Sequence, residues 1–371
     1  MASVALVSFV LVLSEFLPIG LLPHIGGSLD ASIGTTGLLI VVPGLVAAVT
    51  APLMTIASGR LDRRWVLISL AGLTGASNAL VAAAPDLTVM VTARVLLGIG
   101  VGGFWALGAG VAARLVPARS VHRASSLITA GISAGTVISL PLGALIGQLA
   151  GWRAAFLVAT VAALLALTAL VVLLPSLPPN GSVRLSAVTG AFRQGLVRRV
   201  LLATALVFFG HFAAYAYITP YLEDRAHFGS SGVTALLLTY GIAGLAGNFA
   251  AGAVIGRRLR GVYIAASVLL AAAVALLIPL AGIAPAVVAL VALWGAAFGA
   301  VPLALQTWTL RVAGQSPEGG LALLVTVSQV ALAAGSFIGG NVVDGAGAGV
   351  GFALAAVLVL LSALTPRRLP G

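Results

Sequence analysis

A lone acidic residue, Glu15, lies well inside an apolar stretch that runs from residue 4 to residue 22. The other seven acidic residues of the chain fall at or near the ends of such stretches. A carboxylate in hydrocarbon is costly unless it faces water, finds a partner or binds a proton, so its position indicates a functional site. The chemistry open to it is proton binding in competition with a substrate.

An arginine lies at a comparable depth in a second apolar stretch. Arg94 is seven residues from Leu87, and Glu15 is nine residues from His24, which places them about 10 and 13 Å from the same end of their helices. The two side chains could therefore meet. The pair would either couple proton entry to substrate or hold two helices together as a static ion pair. A third alternative is that Arg94 extends to the membrane interface.

A third stretch carries aromatic residues and a histidine at spacings of three and four: Phe208, His211, Phe212 and Tyr215. These spacings predict one helical face. The face could be an aromatic wall for a planar or amphiphilic substrate, or it could pack against other helices. The histidine could bind a second proton near neutral pH, or stay neutral and hydrogen-bonded. Three further residues within apolar stretches are candidates for substrate contact, with packing as the alternative: Trp105, Gln306 and Trp308.

The composition decides what must position these residues. Of the 371 residues, 61% are hydrophobic and only 7% are charged, whereas a soluble domain carries about 25% charged residues. The chain is therefore predicted to be an integral membrane protein. It has no cysteine and four scattered histidines, which argues against thiol catalysis and a metal site. A membrane-embedded enzyme would need a polar catalytic cluster, and one buried acid does not supply it.

A membrane-spanning helix needs about 20 mostly apolar residues, and twelve stretches meet that requirement. The longest connector lies between the sixth and the seventh. We therefore predict an all-α membrane protein with twelve transmembrane helices in two six-helix halves, 1–174 and 200–371, joined by a cytoplasmic linker, 175–199. The predicted spans are residues 3–25, 34–57, 66–84, 88–113, 124–149, 154–174, 200–222, 232–255, 262–281, 285–312, 319–341 and 347–364.

The arginines predict the topology. With both termini in the cytoplasm, sixteen arginines fall on the cytoplasmic side, and only Arg153 and Arg225 fall on the other. This is a clear positive-inside bias. The net charge of +11 is then explained by topology, and we expect no nucleic-acid partner.

The two halves repeat each other with an offset of 197 residues. Glu15 corresponds to Phe212, so the second half has no matching acid, and proton chemistry should be asymmetric. Parallel six-helix repeats suit a transporter that rocks about a central site. The matching pairs are Gly59 and Gly256, Arg60 and Arg257, Arg63 and Arg260, Pro23 and Pro220, Gly44 and Gly241, Gly98 and Gly295, Gly102 and Gly299, and Arg114 and Arg311.

Two motifs resemble those of the major facilitator superfamily. The loop from Ser58 to Leu67, with Arg60, Asp62, Arg63 and Arg64, resembles the superfamily's cytoplasmic loop G-x-L-x-D-R-x-G-R-R, in which charge pairs and helix ends latch the two halves. Gly59 stands where the usual aspartate is expected, and Asp62 could substitute for it. The stretch that begins at Arg94 resembles the R-x-x-x-G-x-G motif, whose arginine is linked to proton coupling.

A third motif narrows the resemblance to the drug:proton antiporter and sugar-efflux branch. Gly131, Gly135, Pro141 and Gly143 resemble the antiporter motif, at a looser spacing, although plain helix packing would also explain them. The resemblance implies a monomeric, proton-driven efflux antiporter for a drug or sugar-like molecule, in a bacterial inner membrane. It implies no cofactor beyond the proton gradient, and a role in multidrug resistance. The alternative is a proton symporter or facilitator for a sugar or other metabolite.

Overall fold

The computed structural model describes residues 1–57, 61–117, 121–178, 185–314 and 317–365. These residues are helical almost throughout and contain no strand. In chain order the helices are α1 (Ala2–Phe16), α2 (Leu22–Leu29), α3 (Ile33–Thr36), α4 (Leu38–Ala57), α5 (Arg63–Ala83), α6 (Leu87–Leu115), α7 (Val121–Leu173), α8 (Leu185–Arg193), α9 (Gly195–Tyr215), α10 (Ile218–Asp224), α11 (Ser230–Leu280), α12 (Ala284–Val312), α13 (Pro317–Ala346) and α14 (Ala348–Ser362).

The described helices form a multi-pass membrane bundle. Nine helical segments are long and apolar enough to cross a membrane. Two of them, α7 and α11, have 53 and 51 residues and contain a non-helical residue, Gly151 and Arg258 respectively. Each would be roughly 80 Å long if straight, far more than a hydrocarbon core of about 30 Å, so each crosses twice. With the shorter apolar helix α14, the arrangement is consistent with the twelve predicted crossings.

The first helix of each half is broken at corresponding positions. In the N-terminal half, α1 ends at Phe16, a 3₁₀ turn covers Leu17–Gly20, and α2 continues the crossing. In the C-terminal half, α9 ends at Tyr215 and α10 begins at Ile218. Glu15 and the His211 face therefore lie directly before a break in the backbone, where irregular geometry is tolerated only inside protein or beside water.

Glycines of the predicted antiporter-type motif bring α7 against α1. A Cβ atom at Gly131 would collide with the carbonyl of Ala5, and one at Gly135 would lie 2.8 Å from the carbonyl oxygen of Phe9. Gly143 makes the same approach to α1's continuation, and Pro141 is buried in the same helix. Close helix packing is thus a sufficient reason for these residue types.

The halves contact each other through α4 against α13 and through α7 against α11. At the end of the bundle that carries Asp344, its carboxylate accepts hydrogen bonds from the other half. Oδ2 accepts from Ser32 Oγ at 2.5 Å, and Oδ1 accepts from the backbone N–H of Gly34 at 3.0 Å. Nearby, Tyr217 donates its hydroxyl to the carbonyl oxygen of Ser336. The two halves are therefore tied together at this end.

In the loop motif, Asp62 and Arg64 bond to the end of α7 and to the segment that follows it. Asp62 precedes α5, and its Oδ1 accepts from the backbone N–H groups of Arg64 at 2.8 Å and Leu177 at 2.9 Å. Its Oδ2 accepts from Ser176 Oγ. Arg64 donates to the carbonyl oxygen of Val171 in the last turn of α7. Asp62 thus ties α5 to the segment after α7, a different contact from the expected latch between halves.

The loop motif also includes Arg63 and Arg60, and the predicted linker follows the sixth span. Arg63 begins α5, and its backbone N–H donates to the carbonyl of Leu177. Arg60 lies outside the described residues. The predicted linker, 175–199, contains a short helix, α8, that packs against α13.

Candidate functional site

The carboxylate of Glu15 lies at the contact between the two halves. Its residue is only 5% exposed, in the last turn of α1. Its Oε1 accepts a hydrogen bond from Nε2 of Gln329 in α13 at 3.3 Å. The other amide atom, Oε1 of Gln329, is buried and has no hydrogen-bond partner among the described residues. A movement that separates α1 from α13 would therefore expose the carboxylate and break its bond to the other half.

Arg94 does meet α1, as its depth predicts, but at the backbone. Its Nη2 donates to the carbonyl oxygen of Ser14 at 2.7 Å and lies 3.4 Å from that of Glu15, while Nε donates to the carbonyl of Leu39 at 3.0 Å. In the part of the chain that the structure describes, the hydrogen bonds of Arg94 all go to backbone oxygens and none reaches the Glu15 carboxylate. The predicted side-chain ion pair is therefore replaced by bonds to two helix backbones. Arg94 is also fully buried, so it does not extend to the interface.

A carboxamide that was not among the predicted site residues completes this polar centre. Asn78 of α5 is fully buried and donates from Nδ2 to Ser14 Oγ at 2.7 Å. It lies six residues from Ala84, at nearly the depth estimated for Arg94. The same depth argument applied to every polar residue within a span would have found it.

The corresponding centre of the C-terminal half is aromatic. Trp294 Nε1 donates to His211 Nδ1 at 3.1 Å, and the His211 ring stacks on Phe298 at 3.4 Å and on Tyr215 at 4.8 Å. Because an indole only donates, Nδ1 is unprotonated, and the ring hydrogen of the neutral imidazole is on Nε2. A proton on Nδ1 would remove the bond from Trp294, so this geometry fits the neutral alternative for His211.

Aromatic rings also connect the halves beside Glu15. Phe16 stacks on Phe212 at 5.9 Å with an interplanar angle of 13°, and Phe208 packs edge-on against Phe298 at 5.9 Å. Phe16, Phe208 and Phe298 are half-buried, whereas Phe212 and Tyr215 are buried. The predicted aromatic face is therefore divided: the end with Phe212 and Tyr215 packs in the interior, and the end with Phe208 leaves ring surface accessible.

Comparison with known proteins decides the family. The profile of the Major Facilitator Superfamily matches residues 4–336. The chain belongs to the Major Facilitator Superfamily. It is thus a membrane transporter by family, in agreement with the sequence resemblance.

Among the relatives of this chain, two examples align with almost its whole length. The transcription regulatory protein OpdE of Pseudomonas aeruginosa is 36% identical over 367 residues, which cover 97% of this chain and 91% of the relative. The purine ribonucleoside efflux pump NepI of Shigella dysenteriae is 34% identical over 363 residues, which cover 98% and 92%.

Solved structures of transporters share the fold. The D-xylose-proton symporter has a TM-score of 0.79 at 17% identity, with 99% of this chain and 97% of that chain covered. The human organic anion transporter MFSD10 (TETRAN) has a TM-score of 0.74 at 20% identity, with 98% and 97% covered. At these identities the likeness concerns the fold alone.

The remaining substrate-contact candidates of this superfamily member lie in different surroundings. Trp308 is fully buried and packs edge-on against Tyr263 at 5.5 Å, inside the C-terminal half, so contact with a substrate would require it to move. Gln306, two residues earlier on α12, is exposed. Trp105 is half-buried and packs against Phe104. Burial thus distinguishes the three residues: Trp308 lies in the interior, Trp105 is partly accessible and Gln306 is accessible.

Proposed function

We propose that this transporter is a proton-coupled efflux antiporter that exports a small molecule by alternating access, with Glu15 as the proton site. The observation that carries the proposal is the position of its carboxylate, which is buried between the halves and bonded to Gln329 of the opposite half. An ionisable group at a moving interface can be charged in one conformation and neutral in another, which is what coupling to a proton requires.

The contacts of Glu15 suggest how exchange is enforced. A charged carboxylate is costly to bury without donors. Closure of the halves over it is therefore favoured only when it carries a proton or when a bound substrate donates hydrogen bonds to it. A protonated Glu15 can also donate to Oε1 of Gln329, which accepts no hydrogen bond from the described part of the chain. Since proton and substrate compete for the same carboxylate, each crossing carries one or the other, and net transport is an antiport driven by the proton gradient without a cofactor.

The substrate class that fits best is a purine ribonucleoside. The half-buried rings of Phe16, Phe208 and Phe298 offer apolar faces on which a planar base can stack. The adjacent Glu15 carboxylate accepts hydrogen bonds, which suits the N–H groups of a base. The relative NepI is named as a purine ribonucleoside efflux pump. Drugs or sugars of similar size are the competing substrates.

The proposed location is the inner membrane of a bacterium, with both termini in the cytoplasm. It is supported by the sixteen arginines that the sequence assigns to the cytoplasmic segments, against two in the segments of the opposite side. The relatives at 36% and 34% identity come from bacteria, which supports the bacterial part of the proposal. Export then runs from the side that carries the arginines to the side that carries Asp344.

The deciding experiment uses proteoliposomes that are more acidic inside than outside. Labelled adenosine is added outside, and its accumulation is compared between wild type and Glu15→Gln. We expect wild type to accumulate adenosine above the external concentration as protons leave, and Glu15→Gln to accumulate none. Counterflow of adenosine against adenosine should also be lost in Glu15→Gln, because glutamine imitates the protonated carboxyl group, the form that does not bind substrate.

The matched control is Asp224→Asn, which removes an acid from the exposed end of α10 and should leave accumulation unchanged. Equilibration without accumulation in wild type would indicate a facilitator instead. Accumulation driven by an acidic exterior would indicate a symporter. Full accumulation by Glu15→Gln would show that Glu15 is not the proton site.

A further inference from the structure

Two prolines each free a backbone carbonyl next to Arg94. Proline has no N–H, so the carbonyl four residues earlier loses its helical partner. Pro18 follows Ser14 by four residues at the break after α1, and Pro43 follows Leu39 by four residues inside α4. Both prolines are buried. In a membrane bundle such carbonyls need another donor, because no bulk water reaches them.

We infer that Arg94 is a positioning residue that supplies this donor to both proline-broken helices at once. Its Nη2 donates to Ser14 O at 2.7 Å, and its Nε donates to Leu39 O at 3.0 Å. These are the two carbonyls that Pro18 and Pro43 deprive of a partner. A guanidinium carries five donors in one rigid plane, so a single side chain can serve two helices, which an ammonium group does less well.

The packing of α6 on α4 supports the same role. One turn after Arg94, a Cβ atom at Gly98 would lie 2.7 Å from the carbonyl oxygen of Pro43 and 2.5 Å from Cβ of Val46. Glycine at this position therefore permits α6 to approach the proline-containing part of α4. That approach brings the guanidinium within reach of Leu39.

The internal repeat is a natural control for this inference. The counterparts of Pro18, Pro43 and Arg94 at the offset of 197 residues are Tyr215, Tyr240 and Val291. Both prolines and the arginine are therefore absent together. The two tyrosines retain their backbone N–H groups, and their rings lie 4.8 Å apart, while Val291 is buried and offers no donor. At these corresponding positions no proline frees a carbonyl, and valine stands in the place of the buried arginine.

Arg94 acts on Glu15 through the backbone, and this part of the inference rests on the proposed function. By bonding the last carbonyls of α1, it holds the break that directs the carboxylate towards Gln329. A cation at this place also complements the negative end of the α1 dipole. The role differs from the direct proton coupling that the motif resemblance implies for Arg94.

The test measures the thermal unfolding midpoint of purified variants in detergent. Arg94→Met should lower the midpoint by roughly 5–10 °C in the wild-type background, because two buried carbonyls lose a charged donor. In the Pro18→Ala/Pro43→Ala background, where both N–H groups return, Arg94→Met should lower it by less than half as much. Pro52 is another proline of α4, and the carbonyl that it frees is not one that Arg94 bonds. In the Pro52→Ala background the full loss should therefore remain.

Two further variants separate hydrogen bonding from charge. Arg94→Gln retains N–H donors without a charge, Arg94→Lys retains the charge without the planar fork, and the reference is Arg94→Met. We expect Gln to recover part of the midpoint lost in Met. Arg94→Lys should recover the whole midpoint only in the Pro43→Ala background, because the ammonium group then has one carbonyl to bond instead of two.

The outcomes that overturn the inference are distinct. An equal loss for Arg94→Met in all backgrounds, or Lys equal to wild type while Gln equals Met, would show that charge rather than carbonyl satisfaction is what Arg94 supplies. Because stability is measured, these results do not depend on adenosine transport. A failure of the proposed function would leave them unchanged.

Discussion

Ser14 and His211 occupy corresponding positions in the two halves, yet their partners differ in kind. Ser14 Oγ accepts from Asn78, and its carbonyl accepts from Arg94. His211 accepts from Trp294 and is stacked between aromatic rings. The centre of the N-terminal half is thus a polar cluster around a proline-broken helix, and that of the C-terminal half is an aromatic cluster.

This difference shows how one repeated fold can divide its tasks. The broken backbone of the N-terminal half needs buried donors, and the same polar surroundings make a buried carboxylate tolerable there. The first helix of the C-terminal half is also broken, although Tyr215 stands in the place of Pro18. Aromatic side chains fill the centre of this half. An acid on one side and stacking faces on the other give a site that could bind a planar substrate and exchange it for a proton.

The largest effect should come from placing an arginine in the aromatic half. Val291→Arg buries a charge at a position with 0% exposure. Tyr215 and Tyr240 stand where the other half has prolines, so neither of them frees a carbonyl that could accept from the new arginine. We expect a loss of stability of about 3 kcal/mol or more, seen as a low unfolding midpoint and poor recovery on gel filtration. Val291→Met is the control of similar length. If both variants were equally stable, a buried arginine would need no freed carbonyl.

A smaller loss is expected when the aromatic centre loses the hydrogen bond from Trp294 to His211. Trp294→Phe leaves His211 Nδ1 buried without a partner, which should cost about 1–3 kcal/mol. The double variant His211→Phe/Trp294→Phe should recover most of the loss, since neither polar group then remains. Thermal midpoints of the two single variants and the double variant measure this coupling. Additive losses would show that the hydrogen bond contributes little.

Removal of the corresponding polar contact in the first half should affect transport more than stability. Asn78→Leu deletes the donor to Ser14 Oγ, and hydrogen bonds between membrane helices contribute about 0.6 kcal/mol on average. Adenosine accumulation should fall because Ser14 adjoins Glu15. The matched variant Asn248→Leu removes a bond to the carbonyl of Gly299 in the C-terminal half and should leave accumulation intact. Equal effects on transport would remove the functional distinction between the centres.

The smallest effect concerns the loops. Hydrogen bonds from Ser176, and from the backbone N–H groups of Arg64 and Leu177, hold the pKa of Asp62 below its ordinary value. The folded state therefore gains stability from the ionised Asp62, which is lost as pH falls from about 4 through its lowered pKa. Its counterpart in the repeat is Leu259.

Midpoints measured against pH should show a slightly steeper acid loss for wild type than for Asp62→Asn. Ser176→Ala should lie between them, because it removes the largest of the contacts that lower the pKa. Identical curves for wild type and Asp62→Asn would mean that the contact does not persist in solution.

The fold was predictable because it depends on local quantities. Lengths of apolar stretches identify the crossings, although α7 and α11 run on through Gly151 and Arg258, where short connectors were expected. The offset of 197 residues identified the two halves before any contact was known.

The candidate site was predictable only in part. Depth along a helix brought Arg94 to α1, but depth does not say whether a guanidinium meets a carboxylate or a carbonyl. The spacing of the aromatic face was informative, yet it did not distinguish the buried His211 from the half-buried Phe208. Trp308 and Gln306 are neighbours on one helix, and only rotation of that helix places the first inside and the second outside.

The sequence by itself determined the membrane class, the family, the repeat and the presence of one acid without a twin, because each follows from composition and order along the chain. Tertiary structure alone decided that Glu15 meets Gln329, 314 residues away, and that Arg94 bonds the carbonyls freed by Pro18 and Pro43. Partners across helices depend on helix rotation and on which backbones can approach closely. Those quantities are set by the packing of all the helices together, and no local pattern carries them.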